Sequence, residues 1–99
     1  MALLKVKVVI IANPEDCTAK VGESVVFSTE ATGAIKKYQW YRSKDGGKTW
    51  GKVFYTGRST KKVTVPVERY MNGYLFHCVL VDDEGNQYTT ETAKLTVIK

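Results

Sequence analysis

Apolar and polar residues alternate with a period of two along most of this 99-residue chain. Successive side chains of an extended strand point to opposite faces, so this period predicts half-buried β-strands. No segment carries apolar residues at the helical spacing i, i+3, i+4, i+7 over ten residues. The predicted inward-facing residues include Leu4, Val6, Val8 and Ile10; Cys17, Ala19 and Val21; Val25, Phe27 and Thr29; Val63, Val65 and Val67; Phe76, Cys78 and Leu80; and Ala93, Leu95 and Val97. The pattern favours an all-β chain with no helix longer than one turn.

Turn-forming residues separate these segments. Asn13-Pro14, Asp45-Gly46-Gly47 and residues 82–86 are the clearest examples, because Gly, Pro, Asn and Asp favour tight turns. Between the turns we expect a strand over residues 36–43, with Tyr38 and Trp40 on one face, and a short strand over residues 49–55. About seven or eight short strands with turns every 8–12 residues predict a sandwich of two antiparallel sheets.

Composition limits the function. With 43% apolar and 25% charged residues, the chain has the profile of one globular domain over residues 1–99. The net charge of +5 is scattered, with adjacent lysines only at Lys36-Lys37 and Lys61-Lys62, so we expect no nucleic-acid partner. The apolar start is too short to cross a bilayer and has no signal-peptide cleavage site, so we expect no membrane insertion by this segment. Two Cys and one His leave little for metal or nucleophilic chemistry, and we expect neither a cofactor nor an enzyme.

Several motifs resemble one family. Residues 22–29, Gly-Glu-Ser-Val-Val-Phe-Ser-Thr, resemble the G-x-x-V-x-F opening of strand B of an immunoglobulin-like (Ig-like) domain. Trp40 stands where that fold has its buried strand-C tryptophan, and Cys78 where strand F has its second core cysteine. Residues 38–41, 43–50, 71–74 and 82–86 resemble bacterial Ig-like repeats of large surface proteins. The resemblance covers residues 8–98.

This resemblance implies an Ig-like Greek-key sandwich, with strands lettered A to G in chain order. Its structural core would contain Trp40, Cys78, Phe27, Phe76 and Leu95, with Trp40 nearly fully buried against Cys78. Two positions depart from antibody-type domains. Thr29 stands at the site of the first core cysteine, so the B–F disulfide cannot form. Phe76 stands at the site of the corner tyrosine and cannot donate its hydrogen bond.

The two cysteines are expected to be unpaired. In the implied fold, strand G lies between strand A′, which carries Cys17, and strand F, which carries Cys78. Two strand spacings separate the cysteines by roughly 9–10 Å. A disulfide needs Cα atoms within about 7 Å.

The outer face of the C–F–G sheet is the candidate partner-binding face. Alternation places Gln39, Tyr41, His77 and Val79 there, and Tyr88, Thr90 and Thr92 of strand G would join them with Val81. His77 is expected to be exposed, on the opposite face from Cys78, which excludes a Cys–His nucleophile pair. Tyrosine rings on a flat sheet can stack on sugars or anchor a protein. The other interpretation is that aromatic and β-branched residues simply favour strands.

Two loops have recognisable polar patterns. Ser43, Asp45, Gly47 and Trp50 match the Asp box of sialidase-like propellers, where Ser and Asp satisfy backbone groups of a hairpin and Trp packs beneath it. One box on a chain this short predicts a rigid hairpin, not a glycosidase. Asp82, Asp83, Glu84 and Asn86 could hold Ca²⁺ weakly, but their spacing does not match an EF-hand, and a solvated F–G hairpin is the alternative.

We therefore expect a non-catalytic Ig-like structural or spacer module of a multidomain bacterial protein, extracellular or at the cell surface, whose partners are neighbouring domains of the parent protein. The alternative is a recognition module that binds a glycan or a protein through the outer C–F–G face. Neither alternative requires a metal or cofactor.

Overall fold

The computed structural model of the protein describes residues 8–98, which contain ten strands and one short 3₁₀ helix. The strands are β1 (Ile10–Ala12), β2 (Cys17–Lys20), β3 (Ser24–Ser28), β4 (Glu30–Ala31), β5 (Ile35–Ser43), β6 (Gly51–Lys52), β7 (Lys62–Pro66), β8 (Leu75–Asp82), β9 (Gln87–Thr89) and β10 (Ala93–Ile98). The helix spans Arg69–Met71. Its three residues agree with the expectation of no helix beyond one turn. The predicted strand that starts at Leu4 lies mostly outside the described residues.

The strands form two layers. The larger sheet has the order β2-β10-β8-β5-β6, and β9 also pairs with β8. In Ig lettering these are A′, G, F, C and C′, with β9 as the first part of G. The second layer contains β3 paired with β7, strands B and E, and β1 paired with β4. All pairs are antiparallel except β2 with β10. This is the predicted Ig-like sandwich.

The core lies between the two layers. Trp40 of β5 and Cys78 of β8 are cross-strand neighbours, and both are fully buried. Phe27 of β3 stacks on Phe76 of β8 with ring centroids 4.7 Å apart, so these rings join the layers. Leu95 is fully buried in the same cluster. The alternation read from the sequence therefore identifies the core-facing side of each of these strands.

Thr29 has a structural role at the place where antibody-type domains carry a cysteine. Its side chain is fully buried, and its Oγ1 donates a 2.8 Å hydrogen bond to the carbonyl oxygen of Ala12. A buried hydroxyl needs such a partner because water is excluded. The bond attaches the end of β1 to the junction between β3 and β4.

The predicted strand over residues 49–55 is shorter than expected, because only Gly51–Lys52 pairs with β5 as a strand. Val53 still donates to the Trp40 carbonyl, but Thr56 bridges Thr64 of β7, so the chain crosses to the other layer. The crossing requires Gly57, whose φ is +86° and whose missing Cβ would lie 2.1 Å from the Lys62 carbonyl oxygen.

The two ends of the described chain lie at opposite poles of the sandwich. Val9 accepts a hydrogen bond from Thr32, beside the start of β5, and that start pairs with the end of β8 at Asp82. Ile98 pairs instead with Lys20, at the turn into β3. Within residues 8–98, no helix is long and apolar enough to cross a membrane.

Candidate partner-binding face

The solvent side of the larger sheet, here called the outer face, is set by the register of its strands. Gln39 pairs with Val79, and Tyr41 pairs with both His77 and Lys52. Directly opposed residues share a face, so four of the predicted residues lie together as two adjacent pairs. The outer face consists of Lys37, Gln39, Tyr41 and Ser43 on β5; Lys52 on β6; Leu75, His77, Val79 and Val81 on β8; Gln87 and Thr89 on β9; and the outward positions of β10 and β2.

Tyr88 does not belong to this face, and its predicted placement is wrong. It pairs with Leu80, which is fully buried, and its hydroxyl donates a 2.9 Å hydrogen bond to Asp82 Oδ2. Thr90 is also buried, and its Oγ1 accepts a hydrogen bond from the Cys78 N–H. Strand G is interrupted between β9 and β10, so the alternation before the break has the opposite phase from that after it.

An aromatic cluster lies at the centre of the outer face. The His77 ring contacts Tyr41, at a centroid distance of 5.6 Å, and Trp50, at 4.0 Å. All three side chains are half-buried. His77 is therefore less exposed than the sequence predicted, because Trp50 folds back over it. Burial lowers the pKa of His77, which favours the neutral ring at physiological pH.

Trp50 reaches this cluster because the hairpin between β5 and β6 is rigid. Ser43 is fully buried, and its Oγ accepts from the Gly47 N–H at 2.8 Å and donates to Asp45 at 2.7 Å. Asp45 also accepts from the backbone N–H and hydroxyl of Thr49. Hydrogen bonds from Thr49 and Ser43 lower the pKa of Asp45 to about 2. Thr49 is thus fixed to the hairpin, and Trp50 directly after it is directed onto the sheet.

The hairpin at residues 82–86 is closed by one carboxylate. Asp82 accepts from the backbone N–H groups of Glu84 and Asn86, from the Asn86 side chain and from Tyr88. Burial raises the pKa of Asp82, but these hydrogen bonds outweigh it and lower the pKa to about 2. The Asp82 oxygens, considered above as Ca²⁺ ligands, are oriented towards the donors of their own loop. Among the described residues, no three His, Cys, Asp or Glu side chains are grouped as a metal site.

His77 and Cys78 do not form a nucleophile–base pair. His77 and Cys78 lie on opposite faces of β8, and burial raises the pKa of Cys78 to about 12, so its thiol stays protonated at neutral pH. What the outer face offers is a set of ring surfaces flanked by the amide of Gln39 and the ammonium of Lys52. Such groups can bind a partner by stacking and hydrogen bonding.

The sequence prediction omits several members of this surface, of which Trp50 and Lys52 bear most directly on binding. The sequence predicts Trp50 only as part of the hairpin and gives no prediction for Lys52, although the position of Lys52 directly before Val53, which is buried, indicates an outward orientation. Phe54 is 81% exposed, and Tyr70, on the 3₁₀ helix, is 68% exposed.

Comparison with known proteins identifies the fold alone. No known family profile matches the sequence, and no curated protein matches it significantly. Among solved structures, one described as the structural basis of T cell specificity and activation by the bacterial superantigen toxic shock syndrome toxin-1 contains a chain that superposes with a TM-score of 0.72 at 16% identity. The match covers 93% of this chain and 100% of that one.

Two further structures agree. Tandem Ig repeats of Dlar superpose with a TM-score of 0.68 at 18% identity, covering 92% of this chain and 48% of that one. Domain D1 of Duf (Kirre) superposes with a TM-score of 0.65 at 18% identity, covering 93% and 97%. The protein therefore has an Ig-like fold, and this chain spans about half of the Dlar tandem repeat.

Proposed function

We propose that this chain is a non-catalytic Ig-like module that spaces and presents the neighbouring domains of a larger bacterial protein, exported or held at the cell surface. The resemblance of its turn motifs to bacterial surface repeats supports the bacterial and extracellular setting. The opposite positions of Val9 and Ile98 support the spacer role, because modules joined end to end through such poles extend along one line.

The observation that carries this proposal is the parallel pairing of β2 with β10. Leu95 pairs with Cys17 and Ile98 with Lys20, so both strands run from the pole near Val9 to the pole near Ile98. Tension on the two ends pulls β2 and β10 in opposite directions along their lengths. The hydrogen bonds between them are then loaded together in shear, rather than broken one after another.

The chemistry of the fold also favours a mechanical role over catalysis. The Cys78 thiol is fully buried and protonated, and His77 is held neutral within an aromatic cluster on the other face of β8. A nucleophile and its base must lie within hydrogen-bond reach of each other, and these two do not.

Single-molecule force spectroscopy tests the proposal. The full chain is pulled first from its two ends and then, as a matched control, from its C-terminal end and a handle inserted at the exposed Val21-Gly22 turn. The second geometry peels β10 from β2 beginning at Ile98 and Lys20. We expect a clearly higher unfolding force in the first geometry. Equal forces in both geometries would contradict the spacer mechanism.

A second candidate function is recognition of a glycan or protein through the outer face. The aromatic cluster of Tyr41, His77 and Trp50 favours it, since such rings are common anchors at binding surfaces. A glycan array and a pull-down with the intact chain test this function. Loss of a hit in Tyr41→Ala, with retention in Tyr70→Ala at the pole of the 3₁₀ helix, is the expected result.

A further inference from the structure

We propose that the outer face binds an acidic polysaccharide, with uronic acid rings stacked on the aromatic cluster and their carboxylates paired with lysines. This inference rests on the second candidate function and names its ligand class. It follows from two independent properties of the face, its charge and its rings.

All charged residues at outward-facing positions of the outer-face strands, within the described residues, are lysines. Lys52 pairs with Tyr41, and Lys37 pairs with Val81. Lys94 pairs with Leu75, and Lys20 pairs with Ile98 on the outward side of β10 and β2. The outward positions of β2, β5, β6, β8, β9 and β10, within the described residues, carry these four lysines and no carboxylate.

Several carboxylates near this face accept hydrogen bonds from the chain itself. Glu23 accepts from the Lys20 N–H at 2.7 Å, and Asp16 accepts from the Lys94 N–H at 2.8 Å, so two of the four lysines have a carboxylate close to their backbone. Asp82 lies on the inner side of β8 and accepts hydrogen bonds from its own hairpin. Asp45 is held by Ser43 and Thr49 inside the β5–β6 hairpin. Among the described residues, no carboxylate occupies a strand position next to Lys52 and Tyr41, and a partner that supplies an anion there is favoured electrostatically.

The aromatic rings of the outer face favour an anion that also carries an apolar ring surface. The His77 ring contacts both Tyr41 and Trp50, with centroid distances of 5.6 and 4.0 Å, and Lys52 lies directly beside Tyr41 on the neighbouring strand. A uronic acid offers an apolar ring face and a carboxylate in one unit, so it can satisfy the ring and the lysine together. Gln39 is next to Tyr41 on the face. Its Nε2 donates to the Trp40 carbonyl oxygen at 3.0 Å, and its amide oxygen can accept from a sugar hydroxyl group.

The same charge pattern disfavours a second copy of this chain as the occupant. A symmetric dimer through the outer face would oppose the lysines of one copy to those of the other, and like charges at an interface reduce affinity. An acidic peptide would pair its carboxylates with the lysines, but it has no sugar ring to stack on the aromatic cluster. It is therefore an outcome that the experiment must separate.

Titration calorimetry with the intact chain tests the proposal. The probes are oligosaccharides of hyaluronan, alginate and polygalacturonate, a neutral cello-oligosaccharide, and poly-glutamate. We expect at least one acidic oligosaccharide to bind, with affinity that falls as salt rises, because surface charge pairs are screened. The neutral sugar and poly-glutamate should bind at least about tenfold more weakly, since each supplies only one of the two features.

Variants locate the site. Lys52→Ala should weaken binding about twofold to fivefold, the range for an exposed ion pair, and Trp50→Ala by about tenfold or more, as for aromatic anchors. Trp50→Phe keeps a ring and should restore part of the loss. The controls are Lys62→Ala on β7, in the other sheet, and Tyr70→Ala on the 3₁₀ helix, neither of which should change affinity. Circular dichroism verifies that each variant is folded.

Three results would overturn the proposal: no binding of any acidic oligosaccharide, equal binding of poly-glutamate, or acidic-sugar binding that Lys52→Ala and Trp50→Ala leave unchanged. The first result together with a protein or neutral-glycan hit on the array would leave the recognition function standing with a different ligand. The first result, together with no hit on the glycan array and none in the pull-down, would contradict both the proposed ligand class and the recognition function.

Discussion

The strands β5 and β8 have two faces that serve different purposes, although the residues involved are adjacent in sequence. On the inner face Trp40 lies against Cys78, and both are fully buried. One position along each strand, Tyr41 lies against His77 on the outer face, and both are half-buried. The inner pair is enclosed by the second layer, whereas the outer pair is covered only in part, by Trp50.

Because of this difference, residues that stabilise the fold can be distinguished from residues available for recognition. Removing an inner side chain leaves a cavity that the surrounding residues fill incompletely, so the free energy of unfolding falls by the full loss of packing. Removing an outer side chain leaves space that water can enter. The outer face can therefore vary in chemistry at small cost to the fold, while the inner face cannot.

The largest expected effect is at Trp40. It is fully buried, and its Nε1–H donates a 2.7 Å hydrogen bond to the Thr60 carbonyl oxygen. Trp40→Ala should reduce the free energy of unfolding by about 3–5 kcal/mol, out of a total of about 5–15 kcal/mol for a domain of this size. Urea denaturation followed by circular dichroism measures it.

Trp40→Phe is the matched variant, because it keeps an aromatic ring and removes the donor. It should cost less than the alanine variant while leaving the Thr60 carbonyl without this partner. A Trp40→Ala protein as stable as the wild type would show that the inner face does not carry the stability assigned to it.

The second effect concerns Trp50 on the outer face. Its ring is half-buried and contacts His77 at a centroid distance of 4.0 Å. Trp50→Ala should reduce the free energy of unfolding by about 1–2 kcal/mol, from the lost aromatic pair and partial burial. The same urea titration measures it, and a loss equal to that of Trp40→Ala would contradict the division between the two faces.

Much of the fold could be predicted from the sequence because the inner-face signal is local. Phe76, Cys78 and Leu80 alternate with half-buried neighbours, and all three are fully buried. Strand pairing and the Trp40 position follow from the Ig-like motifs. The strand predicted over residues 49–55 was too long because the crossing at Thr56 depends on a bridge to Thr64, which is distant in sequence.

The candidate site was predicted less completely because it depends on non-local contacts and on phase. The prediction for Tyr88 is wrong because strand G is interrupted between β9 and β10, and the alternation changes phase at that break. Trp50 reaches His77 only because the β5–β6 hairpin folds over the sheet, which no periodicity indicates. Gln39 and Val79 were placed by uninterrupted alternation within β5 and β8.

A third, smaller effect compares the carboxylates of the two hairpins under acid. Asp82 and Asp45 each have a pKa lowered to about 2, against about 3.9 in an unfolded chain. Because the folded pKa is the lower one, each carboxylate contributes stability that is present above about pH 5 and lost as pH falls through 4 towards 2.

Asp82→Asn should therefore have a lower Tm than the wild type at pH 7, and the difference should narrow between pH 5 and pH 2. Asp45→Asn should behave in the same way, through the hairpin that carries Trp50. Thermal melts at a series of pH values measure both. A difference from the wild type that stays constant with pH would show that these carboxylates do not titrate as the hydrogen bonds imply.

The smallest expected effect is that of a reductant, because both cysteines are free. Cys17 lies on β2 and Cys78 on β8, with β10 between them, as the sequence predicted. Burial raises the pKa of Cys17, with Asp16 and Glu15 adding to it, and burial raises the pKa of Cys78 to about 12. Dithiothreitol should leave the Tm unchanged.

A thiol reagent should modify half-buried Cys17 slowly and Cys78 only on unfolding, giving two thiols per denatured chain. No reactive thiols in a denatured, unreduced monomer would mean that Cys17 and Cys78 are bridged and that β10 does not separate them.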